Sequence, residues 1–565
     1  MKILHEGAWV VARTGTTITG TDRLGLMTSQ ITESAWPQPR LITDLMQQFN
    51  VSAQPTAKVD GAFFTGLSVS SAEIQKGEIF VAVQGLKAHG ARFAQDALAA
   101  GASAVLTDAA GAQFLAAPES GVPGSEIVLV AQPGADLREL MAKVATWFHN
   151  EPSATVAVAG VTGTNGKTTT TFFLDAIMRG VGQRTGLIGT IEMRLGEEHK
   201  AAVRTTVEAP VLQDFFARAV EQDIDTVSME VSSHALSLHR VTGTKFAVVG
   251  FTNLQHDHLD FHHSMEEYYQ AKAALFTPQY AAAAVINVDD KYGWRLAQET
   301  DLECVSIASQ PDGPHFQEAT WRVLDEHAAK DGRGVDFVLA GPHGAVIPSF
   351  SPLLGSVNVA NAALATLMAL QLGIAPQQIT DGLKRLGVVP GRMEVVSAPH
   401  QPLTIVDYAH TTEALEFALT SLGERHMDGT GKLIVVFGAA GERDASKRPD
   451  MGRVAVQLAD RVLVTDDDPY QEDRGDIRSQ IIAGAQESEQ YLKLSGHDRA
   501  LLLQDYAVRE DAITAAISMA DPTDTVLIAG RGHESIQDLA GVQHELDDRV
   551  FARGVLARVF PAPEA

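Results

Sequence analysis

Val156-Ala157-Val158-Ala159-Gly160-Val161-Thr162-Gly163-Thr164-Asn165-Gly166-Lys167-Thr168-Thr169-Thr170 opens as a run of small and β-branched residues and breaks into a glycine-rich turn. Such a run reads as a buried strand. The continuation Thr171-Phe172-Phe173-Leu174-Asp175-Ala176-Ile177-Met178 reads as a helix closed by Gly180. Strand, glycine turn and helix together make a phosphate cradle: the turn points backbone N–H groups at an anion, and the helix N-terminus adds its dipole. Lys167 brings a mobile positive charge, and the Thr168 hydroxyl reaches for Mg²⁺. The spacing departs from the strict P-loop pattern by one residue, because five residues separate Gly160 from Gly166. The expected nucleotide contacts in the turn are Gly163, Thr164, Asn165, Gly166, Lys167, Thr168 and Thr169.

Around this stretch, 565 residues with 45% apolar content predict several α/β domains, each with its own core. A single cysteine, Cys304, excludes a disulfide framework and suits a reducing cytoplasm. No apolar run is long enough to cross a membrane, and charges break up the start of the chain, so neither membrane insertion nor a signal peptide is expected. The net charge of −26 argues against nucleic acid as a partner. It also repels ATP, so nucleotide binding must rest on local donors: the glycine turn, a few arginines and metal ions.

The expected organisation is an N-terminal extension over 1–50, a first domain over 51–152, a P-loop domain over 153–388 and a third domain over 389–565. Residues 1–50 carry weak helix and strand signals. Val335 to Pro348 alternates about Gly341-Pro342-His343-Gly344 and predicts a β-hairpin. Polar clusters recur just after predicted strands: Glu230 to His234, Thr252-Asn253, Asp407 to His410, Asp466 to Pro469, and Arg531 to Glu534. Ligands of open α/β sheets bind at those carboxyl ends.

Glu230 closes the predicted strand from Thr226 and either holds Mg²⁺ beside Thr168 or is an ordinary helix N-terminal acid. The histidine-rich segment Phe251 to His263 reads alone as a zinc site or as a solvated loop. The next helix begins at Ser264 with Glu267 in a capping box. Lys272 falls on its apolar stripe of Met265, Tyr268, Tyr269, Leu275 and Phe276. On spacing alone two readings stand. Lys272 snorkels to the surface, or burial favours its neutral amine, which can add CO₂ and become an anionic, metal-binding carbamate.

Gly163 to Thr169, Glu230-Val231-Ser232-Ser233-His234-Ala235-Leu236, Phe251-Thr252-Asn253-Leu254 with Asp257-His258-Leu259-Asp260, and Tyr268 with Ala271-Lys272, Leu275 and Phe276 occur in that order. Gly355 with Asn358 and Asn361, Pro390-Gly391-Arg392-Met393-Glu394, Val406 to Thr411, Gly441-Glu442-Arg443-Asp444 with Lys447-Arg448-Pro449, and Gly530 to Glu534 follow. The set resembles the Mur ligases, and among them the branch that adds the third residue of the peptidoglycan stem peptide, over roughly residues 60 to 540. The resemblance implies a central P-loop parallel-sheet domain between an N-terminal uridine-nucleotide domain and a C-terminal Rossmann-like domain. It implies a monomeric ligase that uses ATP and Mg²⁺. Its substrates would be UDP-N-acetylmuramoyl-L-alanyl-D-glutamate and a free amino acid, joined through an acyl phosphate.

By the same resemblance, Lys167, Glu230, His258 and Lys272 are catalytic. Thr168 and Glu230 hold one Mg²⁺, and His258 and Lys272, as N6-carboxylysine, hold a second. Asn358, Asn361, Arg392 and Asp407 complete the ATP site. Ser71, Thr205, Thr206, Ser232 and Arg240 line the path of the uridine substrate, although only Ser71 survives of an Asp-Ser-Arg motif that here reads Ser70-Ser71-Ala72. Amino-acid contacts are implied for Arg443, Asp467, Asp468, Tyr470, Gly530 and Glu534. Members specific for meso-diaminopimelate resemble Asp-Asn-Pro-Arg where this chain reads Asp467-Asp468-Pro469-Tyr470. The missing arginine and the acids Asp466 to Asp468, of which Asp466 and Asp468 also read as solvated loop acids, lead to an expectation of L-lysine or L-ornithine, with meso-diaminopimelate as the alternative. Arg474, four residues past Tyr470, is a basic residue in reach of that role. A folylpolyglutamate synthase, the next ligase of the pathway and a catalytically dead scaffold are the rival readings. The motifs from Asp407 to Thr411 and from Gly530 to Glu534 argue against the first two, and the intact Lys167, Thr168, Glu230, His258 and Lys272 against the third.

Overall fold

The computed structural model describes residues 37–54, 58–85, 88–202, 204–329, 334–423, 426 and 429–562. Three α/β units follow one another along it. In the first, a five-stranded sheet runs in the order Ser52–Ala53, Val128–Val130, Ala104–Thr107, Ile79–Ala82, Leu67–Ser68. All pairs are parallel except the first. The expected N-terminal extension is corrected here. Residues 1–36 lie outside the described residues, but Ile42–Phe49 is a helix whose Ile42 and Leu45 are fully buried in the first domain's core. A run of eight residues with two buried anchors is too short a periodic signal to be read reliably from sequence.

The middle unit is an eleven-stranded sheet. Its parallel body runs Thr185–Ile188, Thr226–Glu230, Ala157–Thr162, Val248–Phe251, Ala283–Asn287, Glu303–Ala308 and Trp321–Ala328. The predicted hairpin is present as the antiparallel strands Val335–Ala340 and Val346–Ser351 at one end. Apolar clusters cover both faces of the sheet, and the helix Lys167–Gly180 is packed into one of them through Phe172, Phe173, Leu174, Ile177 and Met178. Near-continuous apolar strands are what a sheet covered on both faces requires.

The third unit orders its strands Glu394–Val395, Leu403–Asp407, Thr525–Ala529, Leu433–Phe437, Arg461–Thr465, Leu503–Tyr506. All but the first pair are parallel. Asp407, Asp466 and Gly530 therefore emerge at carboxyl ends on one edge of this sheet, beside its switch in strand order. No helix among the described residues is long and apolar enough to cross a membrane.

The first and middle units meet along the helices Leu137–Phe148 and Ala209–Glu221, whose Ala209 belongs to the first unit's apolar core. Arg138 also pairs with Glu208 at 3.3 Å. At one point the Thr146 side chain packs so closely on Gly243, which has φ of +87°, that a Cβ there would lie 2.2 Å from Thr146 Oγ1. Any larger residue there would push the two units apart.

Candidate active site

The strand Ala157–Thr162 delivers the glycine turn, and the helix Lys167–Gly180 leaves it. Gly166 has φ of +86°, and a Cβ on it would sit 2.4 Å from Asn361 Oδ1, so the turn is shaped by closeness to the helix Ser356–Gln371. The half-buried Lys167 folds back, and its amine donates to the carbonyls of Gly163 (2.9 Å) and Thr164 (2.8 Å). Burial lowers its pKa, and Glu230 opposes that. Thr168 Oγ1 donates to Glu230 Oε1 at 3.0 Å. A buried hydroxyl and a buried carboxylate at one point form an oxygen-donor pair that suits a hard cation such as Mg²⁺. Thr164 and Asn165 are tied to the next strand end through Gln255 and Asn253.

Lys272 is 1% exposed. Its amine donates to the same Gly163 carbonyl as Lys167, at 2.8 Å, and lies 4.7 Å over the Tyr268 ring. Burial first, and the charge of Lys167 second, hold it well below the ordinary lysine range. The snorkelling reading is thereby excluded. His258 has a left-handed backbone, with φ of 53°. Its Nε2 is 3.4 Å from Asp257 Oδ2, and its ring centroid is 4.9 Å from that of His234 and 6.2 Å from that of Tyr268. Tyr268 is thus a common neighbour of His258 and Lys272. Among the described residues no trio of histidine, cysteine and acidic side chains is spaced for a metal, which leaves the zinc reading of the histidine-rich segment without support.

A cavity of about 330 Å³ opens between the middle and third units. Asn165, Gly166, Thr169, Asn358 and Asn361 line it from one side, Arg392, Asp407, Tyr408 and Phe417 from the other. Arg392 crosses the boundary: its Nη2 is 3.3 Å from Thr168 Oγ1, and its guanidinium lies 4.4 Å over the Tyr408 ring. Its buried Nε has no partner within the protein. An orphaned guanidinium N–H beside a glycine cradle fits an anionic ligand such as ATP. Both Asp407 oxygens accept backbone amides, from Met393 (2.7 Å) and Ala409 (2.9 Å), so Asp407 also braces the entry to the third unit.

On the other side of Glu230, Thr190 donates to its carboxylate through N–H (2.7 Å) and hydroxyl (3.2 Å). Thr190 also meets Thr205 at 3.1 Å. Thr206 donates to the Glu230 carbonyl at 2.9 Å and accepts from the Ser232 amide at 3.1 Å. Arg240 donates to the Thr206 carbonyl at 3.1 Å and pairs with Glu208 at 3.1 Å. Four of the five residues expected on the uridine-substrate path are therefore linked to Glu230 by a chain of hydrogen bonds, Thr205 through Thr190, Thr206 through the Glu230 carbonyl, and Ser232 and Arg240 through Thr206. Ser71, half-buried in the turn after Leu67–Ser68, stands apart in the first unit.

At the third unit's strand ends, Asp467, Asp468 and Glu534 gather. A side chain at Gly530 would strike Asp467 Oδ2. Asp468 Oδ1 accepts the Asp538 amide at 2.9 Å. Glu534 Oε1 accepts the Tyr408 hydroxyl at 3.2 Å. Arg443 lies 5.7 Å over the Tyr470 ring. Two expectations are corrected. Asp466 does not join the cluster, because Arg474 (3.3 Å) and Arg478 neutralise it. Arg474 is thereby committed to Asp466 and does not stand in for a loop arginine. Sequence reading missed Thr190, Tyr268 and Tyr408. Tyr408 and Tyr268 stand inside quoted motifs as apolar-looking positions, and Thr190 has no local pattern to mark it.

Family models match three stretches in order: "Mur ligase family, catalytic domain" at 63–148, "Mur ligase middle domain" at 161–369 and "Mur ligase, glutamate ligase domain" at 391–532. A UDP-N-acetylmuramoyl-L-alanyl-D-glutamate–2,6-diaminopimelate ligase of Streptomyces avermitilis is 40% identical over 89% of this chain and 96% of its own. The protein of the same name from Xanthomonas campestris pv. campestris is 42% identical over 87% and 94%. A solved structure with that title superposes with a TM-score of 0.60 at 30% identity, over 89% of this chain and 97% of the other.

Proposed function

We propose, for a chain that belongs to the Mur ligase family and is an ATP-dependent amide-forming ligase, that its acid substrate is UDP-N-acetylmuramoyl-L-alanyl-D-glutamate and that its amine substrate is a free diamino acid. The observation that carries the reading is the contact of Thr168 with both Glu230 (3.0 Å) and Arg392 (3.3 Å), which joins a P-loop, a metal-type carboxylate and a cation from another unit at one point. The glycine turn, Lys167 and Arg392 hold the phosphates of ATP. Thr168 and Glu230 hold one Mg²⁺, and His258 and carbamylated Lys272 a second. Bound there, the metal neutralises phosphate charge. Thr205, Thr206, Ser232 and Arg240 guide the D-glutamate side-chain carboxylate to the γ-phosphorus, where it forms the acyl phosphate and releases ADP. The incoming amine then attacks the acyl carbon, phosphate leaves with the C–O bond, and the amine loses a proton. The chain's work is positioning and charge stabilisation. Cell-wall synthesis in the cytoplasm is the setting this reading implies.

The names of the relatives support meso-diaminopimelate as the amine, which reverses the order of the two readings drawn from the loop. The physical reason is charge. With Asp466 neutralised and Arg443 standing over Tyr470, the pocket offers acids for an ammonium and a cation for a second carboxylate. The second reading, lysine or ornithine, rests on Tyr470 occupying the position of the expected arginine. Turnover with the three amino acids in parallel decides between them. The expected result is the highest kcat/KM for meso-diaminopimelate. Leaving one charge unpaired in a half-closed site costs about 2–5 kcal/mol, or roughly 30- to several-thousand-fold. A win for lysine or ornithine gives the second reading. Turnover with none of them removes both.

Glu534 carries a pH prediction. Burial first, then Asp467 and Asp468, push its carboxyl up to about 7, with Arg531 and the Tyr408 hydroxyl opposing. The protonated form is neutral and does not pair with an ammonium. The amine KM is therefore expected to fall as pH rises through about 7, by up to about tenfold per unit on the acid side. Glu534→Gln should raise that KM and flatten its pH dependence. A KM that is flat from pH 6 to 8 in the unmodified enzyme sinks this assignment.

A further inference from the structure

Arg531 is fully buried, with 0% of its surface exposed. It follows Gly530 at the end of the strand Thr525–Ala529, directly behind the acid cluster. Two carbonyls of the segment 536–546 fix its outer nitrogens: Nη1 donates to Leu546 at 3.1 Å and Nη2 to Ile536 at 2.6 Å. Its Nε has no hydrogen-bond partner. That nitrogen faces Asp468 Oδ1 at 3.8 Å and Glu534 Oε2 at 3.9 Å. The other nearby acid, Asp548, lies 3.9 Å from Nη1 but is already engaged by Arg509 through bonds of 3.0 and 2.7 Å. The charge of Arg531 is thus left to the pocket.

We propose that Arg531 is the built-in counter-ion of the amino-acid pocket, a positioning residue that keeps Asp468 and Glu534 side by side and charged, and so sets the affinity for the ammonium end of the incoming diamino acid. The proposal rests on the reading of Asp467, Asp468 and Glu534 as that pocket. The groups around it are Asp467, Asp468 and Tyr470 on their loop, Tyr408 from the neighbouring strand end, Arg443 over Tyr470, Arg509 from the helix Arg509–Met519, and Asp548 with Arg549 from the helix Asp548–Val559. Burial first, and the neighbouring carboxylates second, push the Asp468 and Glu534 carboxyls up and favour their neutral forms. Arg531 and Arg509 oppose this at Asp468, and Arg531 does so at Glu534. Arg531 itself is too deeply buried to touch substrate, so it acts through the carboxylates.

The test is a pH series of amine KM, ATP KM and kcat for the full-length enzyme and its Arg531→Met, Arg531→Gln, Arg531→Lys and Glu534→Gln variants. In Arg531→Met, Glu534 keeps its proton to higher pH. The amine KM should rise about tenfold at pH 7 and recover near pH 9, while ATP KM and kcat stay within about twofold. Arg531→Lys keeps the charge and should track the unmodified profile. Arg531→Gln keeps a donor for the carbonyl cradle and should shift like Arg531→Met, so it carries the test if the methionine variant does not fold. A lower melting temperature with an unmoved pH midpoint in the neutral variants, while Glu534→Gln still raises the amine KM, overturns the role of Arg531 and leaves the pocket standing. An unchanged amine KM in Glu534→Gln removes the pocket, and the proposal falls with it.

Discussion

Lys272→Ala is expected to lower turnover by about 10²–10³-fold or more, the usual loss when one preorganised electrostatic group is removed from a phosphoryl-type site. The reasoning starts from the shared Gly163 carbonyl, which accepts both the Lys167 and the Lys272 amines, at 2.9 and 2.8 Å. Two ammonium groups on one carbonyl, one of them fully buried, repel each other. The deeper one is the one held far below its normal range. Its neutral amine is therefore present at pH values where an exposed lysine is protonated. A neutral amine adds CO₂ and releases one proton, and the resulting carbamate is an anion suited to Mg²⁺. Short carboxylates such as formate or acetate should partly restore Lys272→Ala, because they supply the missing anion without the tether. Stripping CO₂ from the buffer should slow the unmodified enzyme and leave the variant unaffected. Full activity in a folded Lys272→Ala protein would discard both the carbamate and its metal.

Arg392→Ala is the second large effect. Arg392 is the one described side chain that reaches from the third unit to Thr168 of the P-loop, and its Nε is buried without a protein partner. Guanidinium groups bind phosphate through a rigid planar fork of N–H donors, a geometry that an ammonium cannot reproduce. The expected loss is about 10²–10³-fold in kcat, with a rise in ATP KM. Arg392→Lys should recover only a small part of it. The reading fails if kcat and ATP KM in Arg392→Ala both stay close to their unmodified values. Small-angle scattering is a useful companion, because an arginine that clamps nucleotide across a boundary should draw the third unit inward when an ATP analogue and the uridine substrate are added.

Much of this site is legible in the sequence. The strand–turn–helix at 157–180 was readable because glycine spacing and β-branched alternation are local signals. The stripe that buries Lys272 was readable because helical periodicity spans only three or four residues. What was not legible depends on how separate elements return to one point. Asp466 and Asp468 look alike in sequence, yet one is spent on Arg474 and Arg478 and the other faces Arg531. Which acid is neutralised depends on how the helix from Arg474 and the segment 536–546 return to the strand end, an arrangement that sequence spacing does not give. Thr190 is a similar case, since its two bonds to Glu230 span forty positions. The helix Ile42–Phe49 was missed for a different reason: its stability comes from the core it enters rather than from its own sequence.

The close approach of Thr146 to Gly243 turns the first two units into a single caliper. If the sugar nucleotide sits in the first unit, as the family resemblance implies, one jaw holds that end of the acid substrate and the other presents Glu230 and the P-loop. The gap between the jaws is cast in packed side chains rather than in a hinge. A substrate is then gauged by its length: a uridine–sugar–peptide one residue short leaves its carboxylate stranded before the γ-phosphorus, and one residue too long overshoots it.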